Sequence, residues 1–488
     1  MANRRGRTWR HARSNAPTGV HHRSSIILVV YKLHLILKYL RKRRIAWVSL
    51  VAVMLCTTMV LVVVSVMGGW LRMFRESFHG LSGDVIVRGE SIAGFPYYQE
   101  MIAEVEKLPE VQAAIPVIRT FGLINIQKEI MDGVQVVGYP PDVGRVNRFA
   151  RSLHLQRVGP DGKVSFALLP GQADENSRIR HGMIVGTGVV GIRRTEFGKE
   201  PQRPSRMYDV WVSLTLVPLD ADASGVQDIR KSVDYYRIVD DSHTGVHIYD
   251  SNTVYIAFDK LQRELGMEAN ANQPARTREI QIALRPGQDL YAARDRIEQI
   301  IDAVARRKGL LDDRSFVLRS KPYTVQTWDQ LHALWIGAVE KEKVLVTFLF
   351  GIISIVAIFM IGCIFYMIVV EKTRDIGIIK AVGATSQGVA AIFLGYGAAI
   401  GLVGSLLGLL LSWLIVHHIN QLHLWMGRVM GVQMWDPQVY LFDSIPNTMS
   451  PWDAVIIPAV AVVASIAGAL LPALRAAALN PVEALRWE

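Results

Sequence analysis

Four long stretches of the chain contain no Asp, Glu, Lys or Arg and consist mainly of apolar residues. They extend over residues 45–71, 344–370, 381–416 and 454–474. A helix needs roughly 20 apolar residues to cross about 30 Å of hydrocarbon, and every stretch reaches that length. The pattern therefore predicts four transmembrane helices, which we place at 45–71, 344–370, 388–416 and 453–474.

Residues 72–343, between the first two spans, alternate between stretches of strand-like and helical periodicity. The predicted elements are strands at 84–88, 111–123 and 134–138, a helix at 97–108, and a strand-helix-strand unit at 279–284, 289–307 and 315–318. We therefore predict an α-helical membrane protein with four transmembrane helices plus a large α+β extracytoplasmic domain between helices 1 and 2. That domain would be a split α+β subdomain with a β-rich insertion at about 150–275, including strands at 211–217 and 253–257.

The segment that leads into the second span also has helical character. Residues 326–343 are predicted to form a helix that continues without a break into the span at 344–370. Such a helix could carry motion between the outer domain and the membrane, or it could be a passive connector. The sequence favours neither alternative.

Basic residues cluster beside particular ends of the spans, and this orients the helices. Residues 1–44 contain twelve Lys or Arg residues and no acidic residue. The last loop between spans, residues 417–452, contains a single Lys or Arg residue, Arg428. Lys and Arg flank the cytoplasmic ends of spans. The predicted cytoplasmic segments are a basic tail with an interfacial helix (1–44), a loop (371–387) and a tail (475–488). The predicted outer segments are the domain at 72–343 and a loop at 417–452.

The net charge of +11 belongs to these cytoplasmic segments, because residues 72–343 contain 36 basic and 36 acidic side chains. A basic excess next to the membrane favours contact with anionic lipid. This position argues against nucleic acid as a partner. The two cysteines, Cys56 and Cys363, lie within predicted spans, so the outer domain has no disulfide or cysteine-based metal framework.

Glycines recur on one face of the third span. Gly397, Gly401, Gly404 and Gly408 are spaced by four, three and four residues. Small residues allow helix backbones to approach closely in a bilayer. We expect this face to pack against another helix, either in the same chain or in a partner.

The loop between the second and third spans is predicted to contain a short helix that is exposed to the cytoplasm. The segment is helix-competent through Val382, and Gly383 can end the helix in the left-handed conformation. Thr385 or Ser386 can then cap the next helix. Such a helix could dock a soluble partner, whereas the plain alternative is a charged inter-helix loop.

Several motifs that suggest chemistry lack the required context. Gly186, Gly188 and Gly191 fit G-x-G-x-x-G, but a polar run rather than an amphipathic helix follows them. His243 and His247 lie four residues apart without a cluster of carboxylates, so we interpret them as surface histidines. No G-x-x-x-x-G-K-[ST] motif occurs in the sequence, and we predict neither a metal site nor a catalytic site. The spans also lack the ionisable groups that ion-driven transporters keep at mid-membrane.

In this order and topology, several short motifs resemble the permeases of type VII ABC transporters, the superfamily that includes MacB, FtsX and the lipoprotein-releasing LolC and LolE proteins. Gly68-Gly-Trp70 departs mildly from the Asn-Gly-Phe that this family usually has after its first motif. The motifs that carry the resemblance are Leu37–Arg41, Val64–Met67, Thr327–Trp328, Glu340–Lys343, Glu371–Lys372, Asp375–Ala384 and Leu479–Arg486.

The resemblance implies a bacterial inner-membrane protein with a MacB-like periplasmic core and both termini in the cytoplasm. Two permease chains would pair, as a homo- or heterodimer, above a separate ABC ATP-binding subunit that binds the ATP. The permease itself would be no enzyme and would need no cofactor. The resemblance makes residues 371–386 the coupling helix, with ATPase contacts at Glu371, Lys372, Arg374, Asp375, Ile376, Gly377, Lys380, Gly383 and Ala384.

The substrate is the least defined part of this prediction. The Lol branch implies the release of lipoproteins from the inner membrane to a periplasmic carrier, although no stretch of the outer domain matches the carrier-binding loop of that branch. The alternatives are MacB-like export of small molecules or peptides from the periplasm, and FtsX-like activation of a cell-wall hydrolase. All three functions require an ATPase partner.

Overall fold

The computed structural model describes residues 44–127, 130–159, 161–172, 179–191, 203, 207–216, 219–221, 227–229, 232–271, 273–311, 321–431, 435, 440, 442, 444–480 and 482. The predicted interfacial helix within 1–44 and the predicted strand at 315–318 lie outside the described residues. The described chain forms two compact units by contact clustering. The membrane unit comprises the described residues within 1–65, 344–417 and 449–488, and the outer unit comprises those within 66–343 and 418–448.

The described part of the chain contains eleven α-helices. They are α1 (Arg44–Ser82), α2 (Tyr98–Val105), α3 (His247–Asn252), α4 (Phe258–Glu264), α5 (Leu290–Arg307), α6 (Trp328–Leu331), α7 (Ala333–Glu371), α8 (Thr373–Ala381), α9 (Ser386–His417), α10 (Ile419–Met430) and α11 (Pro451–Ala478). Four of them, α1, α7, α9 and α11, are long and apolar enough to cross a membrane. The predicted fold class is thereby confirmed.

Every strand in the described part of the chain belongs to the outer unit. They are β1 (Val85–Gly89), β2 (Phe95–Pro96), β3 (Val111–Ile126), β4 (Ile130–Tyr139), β5 (His181–Gly186), β6 (Trp211–Leu216), β7 (Leu219–Ala221), β8 (Gln227–Ile229), β9 (Ser232–Ser242), β10 (Thr253–Ala257), β11 (Arg276–Thr277), β12 (Glu279–Leu284) and β13 (Tyr323–Thr327). Nine of them form one sheet in the order β13-β1-β12-β3-β4-β10-β5-β9-β6. The pairs β2–β11 and β7–β8 form two small sheets.

One end of the large sheet is an open antiparallel layer of β13, β1, β12 and the first half of β3. Helix α5 packs on this layer because its apolar residues recur at helical spacing: Ala293, Ile297, Ile301 and Val304 are all buried. The Asp289 side chain caps the helix by accepting hydrogen bonds from the backbone N–H groups of Tyr291 and Ala292. This layer forms the α+β part of the outer domain.

The other end of the sheet closes into a ring. The second half of β3 pairs with β4 on one side and with β6 on the other, so that β3, β4, β10, β5, β9 and β6 form a closed six-stranded barrel. Strand β10 lies parallel to β4, and β5 lies parallel to β9. The β-rich part is therefore not a self-contained insertion at 150–275, because β3 and β4 precede that range. Strand β3 is long enough, at 16 residues, to serve both layers.

The predicted unbroken helix from residue 326 into the second span is wrong at its start. Gln326 and Thr327 are extended because they pair with Ile86 and Val85 in the sheet. Thr327 then begins a capping box with Gln330, and the chain breaks again at His332 (φ −105°, ψ 16°). Only from Ala333 does the helix run continuously to Glu371.

Candidate coupling site

The short helix α8 lies between two membrane-spanning helices of the membrane unit. The chain leaves α7 at Lys372, whose backbone (φ −104°, ψ 10°) departs from helical geometry. The Thr373 hydroxyl donates to the backbone carbonyls of Val369 and Val370, at 3.1 and 2.9 Å. The Lys372 ammonium pairs with the Asp375 carboxylate three residues later. Two of the predicted contact residues thus pair with each other at the start of α8.

One face of α8 packs inward. Ile376 and Gly377 are buried, and Ile376 belongs to a small apolar cluster with Val369, Val389 and Ala476. Ala384 packs against the same cluster. Among the predicted residues, Ile376 and Ala384 therefore pack the α8 segment against α7, α9 and α11, and Gly377 is buried on the same helix.

Lys380 also faces the protein. Its Nζ donates to the backbone carbonyls of Ala477 and Leu479, at 2.8 and 2.7 Å. The last carbonyls of a helix have no partner within the helix, and a cation near them is favourable. Lys380 thus caps the end of α11, which is a different contact from the one predicted for it.

The opposite face of α8 is exposed and partly apolar. Arg374 is exposed, Ile378 is 47% exposed and Val382, directly after the helix, is 85% exposed. The spacing of four residues places these three side chains along one side. Glu371 is also exposed at the end of α7. The sequence prediction did not include Ile378 and Val382, although they follow Arg374 at successive intervals of four residues, which was a usable signal.

The end of α8 has the geometry that the sequence predicts. Gly383 has a φ of 109°, and the Ala384 N–H donates to the carbonyl of Ile379 at 3.1 Å. This is the glycine-terminated helix end in which a residue after the glycine bonds back to the last turn. The Thr385 hydroxyl then accepts from the Gly388 N–H at 3.1 Å and caps α9. The turn fixes the direction in which α9 starts.

The glycines of α9 pack against other helices of the same chain. A Cβ added to Gly401 would lie 2.8 Å from the Cβ of Ser465 in α11, and one on Gly397 would lie 2.7 Å from the Cβ of Ala469. Gly404 and Gly408 approach α1, with corresponding distances of 2.9 Å to the Cβ of Val53 and 2.8 Å to the carbonyl oxygen of Met54. Of the two alternatives left open by the sequence, the structure shows contacts within the chain.

An apolar cavity of about 140 Å³ lies within the membrane unit, among α1, α7 and α11. Two polar side chains, Cys56 and Ser354, are part of its lining. The remaining lining is almost entirely aliphatic: Val53, Val60, Ile358, Ile361, Ile457, Val460, Ala461 and Ala464, with Thr57 and Ser465. The cavity is therefore suited to hydrocarbon rather than to a charged ligand.

The rejected motifs of the outer unit have structural explanations. A Cβ added to Gly186 would lie 2.3 Å from the carbonyl oxygen of Asp250, and one added to Gly188 would lie 2.7 Å from the Cα of Ser251. Both positions therefore need glycine because the backbone of 250–251 packs closely against them. The interpretation of His243 as a surface histidine is wrong, because its half-buried ring lies 3.1 Å from the Asp250 carboxylate. Among the described residues, no group of three or more His, Cys, Asp or Glu side chains could hold a metal ion.

The helices around α8 match a known family. Residues 347–481 match the model described as FtsX, FtsX-like permease C-terminal. This segment therefore resembles an FtsX-like permease domain. The resemblance inferred from the sequence motifs is thereby confirmed.

Similarity to individual proteins extends beyond this domain. The chain is 25% identical over 460 residues to the lipoprotein-releasing system transmembrane protein LolC of Neisseria meningitidis serogroup B, covering 93% of this chain and 98% of that protein. It is 29% identical over 167 residues to LolC of Xylella fastidiosa, covering 34% of this chain and 40% of that protein. The crystal structure of the periplasmic region of MacB from Actinobacillus actinomycetemcomitans aligns with 52% of this chain and 92% of that chain, at 10% identity and a TM-score of 0.28.

Proposed function

We propose that this chain is the permease subunit of an ABC transporter that releases lipoproteins from the bacterial inner membrane. The observation that carries the proposal is the match to a lipoprotein-releasing LolC protein, which extends over 93% of this chain and 98% of that protein. The match takes in the outer domain as well as the spans. A shared membrane anchor alone would leave most of residues 72–343 unmatched.

The energy source in this proposal is a separate ATP-binding subunit. The sequence has no P-loop with which the chain could bind ATP itself. The exposed side of α8 offers Arg374, Ile378 and Val382 to a cytoplasmic partner. A small apolar patch beside a cation is a suitable docking surface for a soluble protein. In this proposal the partner subunit, and not the permease, binds the ATP.

Movement of the partner would reach the spans through α8. Ile376 packs α8 against α7, α9 and α11, and Lys380 ties it to the end of α11. Helices α1 and α7 each continue, without a helical break, from residues of the membrane unit into residues of the outer unit. These two helices would carry the movement toward the periplasmic domain.

The membrane unit offers a place for a lipid chain. Its 140 Å³ cavity is lined by aliphatic side chains of α1, α7 and α11. Helix α7 is also sparsely covered by the rest of the chain, since most of its apolar side chains are exposed, among them Phe348, Ile355 and Phe359. We propose that this uncovered surface meets a second permease chain and the lipid part of the cargo. A periplasmic carrier would then accept the cargo from the outer domain, with both chain termini in the cytoplasm.

Photocrosslinking of the assembled complex tests the cargo directly. A photoreactive amino acid at Ile358, in the cavity lining, should trap lipoprotein in membranes that contain the ATPase subunit. The same group at Leu410, which is 60% exposed on α9, serves as the lipid-facing control and should trap much less. A complex that hydrolyses ATP but yields no lipoprotein adduct at Ile358 would exclude lipoprotein release. Co-purification of an outer-membrane duct would then favour export, and activation of a cell-wall hydrolase would favour the regulatory alternative.

A further inference from the structure

The loop at 417–452 contains a helix that the sequence analysis did not anticipate. Helix α10 begins at Ile419, two residues after α9 ends at His417, and it ends at Met430. Gly431 terminates it with a φ of 67°. The next spanning helix, α11, begins at Pro451. In the chain, α10 is therefore flanked on both sides by the outer ends of membrane spans.

One side of α10 is attached to its own loop. His423 is buried, at 8% exposure. The Asn420 side-chain amide donates to the carbonyl of Ile445 and accepts from its N–H, both at 3.0 Å. These contacts fix which side of the helix faces away from the loop.

The other side of α10 is apolar and uncovered. Leu422, Trp425 and Val429 are 38%, 60% and 67% exposed. Their spacing of three and four residues places them on one helical face. Met430, at 59% exposure, lies next to Val429 at the end of the helix. An apolar face with a central tryptophan is costly in water, so it needs an apolar neighbour.

The charge and the aromatic residues around α10 indicate which neighbour that is. Residues 417–431 contain three histidines and Arg428 but no acidic residue. Exposed tryptophans also occur in the last turns of α9, at Trp413, and in the first turn of α11, at Trp452. Tryptophan is enriched where a span meets the interface between membrane and water. Helices α9, α10 and α11 thus each carry an exposed tryptophan at or between the outer ends of spans.

We propose that α10 is an interfacial helix that inserts Leu422, Trp425 and Val429 into the outer leaflet of the membrane. Helices of this kind lie in the plane of the interface, with their apolar face about 5–10 Å into the boundary between headgroups and acyl chains. Arg428 reaches the lipid phosphates from the rim of that face, because long basic side chains extend their charge toward water. The apolar face of α10 thus contacts lipid, and this contact requires neither ATP nor cargo.

Spin labelling of the full chain in lipid nanodiscs tests the proposal. In a variant carrying Cys56→Ser and Cys363→Ser, single cysteines are introduced in turn at Gln421, Leu422, Trp425, Arg428 and Val429 and labelled. Labels at 422, 425 and 429 should collide more often with oxygen, which concentrates in lipid, than with a water-soluble nickel chelate. Labels at 421 and 428 should show the inverse ratio. Reference labels at Leu410, in a span, and Phe121, on the outer barrel, define the lipid and water limits.

Two results would overturn the proposal. Equal access of the nickel chelate to all five positions would mean that the face lies in water. Immobilised labels at 422, 425 and 429 that neither reagent reaches would mean that a second permease chain or another protein covers it. Because proper folding could be lost at one site, every labelled variant must first show the same thermal unfolding midpoint as the cysteine-free parent. The experiment uses no ATPase and no lipoprotein, so its failure is independent of the proposed function.

Discussion

Lys380 in the short helix α8 donates a hydrogen bond of 2.7 Å to the backbone carbonyl of Leu479, just beyond the last spanning helix. The same ammonium group also bonds the carbonyl of Ala477. One side chain therefore joins α8 to the end of α11. In the proposed transporter, force received by α8 reaches α11 through this connection as well as through apolar packing.

We expect Lys380→Met to uncouple the transporter. Hydrogen bonds from a charged group contribute about 1.5–3 kcal/mol each, and the methionine leaves both carbonyls without this donor. ATP hydrolysis should continue, while lipoprotein released per ATP hydrolysed should fall. Lys380→Arg, which keeps a cationic donor, is the matched control and should recover most of the coupling. Release per ATP at the wild-type level in the methionine variant would contradict the role of this connection.

The features of α8 that follow from short-range rules were predictable, and those that depend on distant partners were not. Gly383 and Thr385 act through residues within five positions of themselves, so the sequence indicates the turn directly. The partners of Lys380 lie 97 and 99 residues away, and nothing in the local pattern reveals them. Ile376 and Ile378 have the same chemistry, and only the position of α11 and α9 determines which one is buried.

The same division applies to the fold. The length of the charge-free stretches was sufficient to predict the four spans, because a bilayer imposes a minimum length on each spanning helix. The barrel could not be predicted, since its closure depends on Gly122–Ile126 of β3 pairing with β6 some 90 residues later. Helix α10 was not predicted, although the apolar spacing of Leu422, Trp425 and Val429 is helical.

The exposed face of α8 should determine binding of the ATP-binding subunit. We expect Ile378→Asp combined with Val382→Asp to weaken co-purification of that subunit, because two charges replace apolar contact area at the interface. The change should leave the permease folded, since both side chains are exposed. Val233→Asp, at a 43% exposed position of the outer barrel, is the control and should bind the subunit normally. Undiminished binding by the double variant would show that the partner docks elsewhere.

The glycines of α9 should be intolerant of larger residues. Gly401→Leu would force a side chain into the space occupied by Ser465, and overpacking of this kind costs about 1–3 kcal/mol. Gly351→Leu in α7 is the matched control, because no atom lies within 4 Å of the Cβ that it would add. Thermal unfolding in detergent should show a lower midpoint for the first variant than for the second. Equal midpoints would mean that α9 and α11 separate readily.

His332 should make the junction of α6 and α7 sensitive to acid. Burial lowers the pKa of His332 below its ordinary value of 6.5, and Arg119 and Arg88 add to this effect, while the carbonyl of Trp328 and Glu279 oppose it. The ring packs against Phe78 with a centroid distance of 4.8 Å. Because the unfolded junction binds a proton more readily than the folded one, stability is complete above about pH 6.5 and is lost as the pH falls toward the lowered pKa.

Hydrogen exchange of the full chain measures this effect at residues 328–340. Protection factors, corrected for intrinsic exchange, should fall between pH 7.5 and pH 5.5 in the wild-type protein. His332→Phe keeps an aromatic ring but cannot be protonated, so its protection should change much less over that range. His154→Gln, at an exposed position of the outer unit, should behave like the wild type. The same loss of protection in His332→Phe as in the wild type would assign the acid sensitivity to another group.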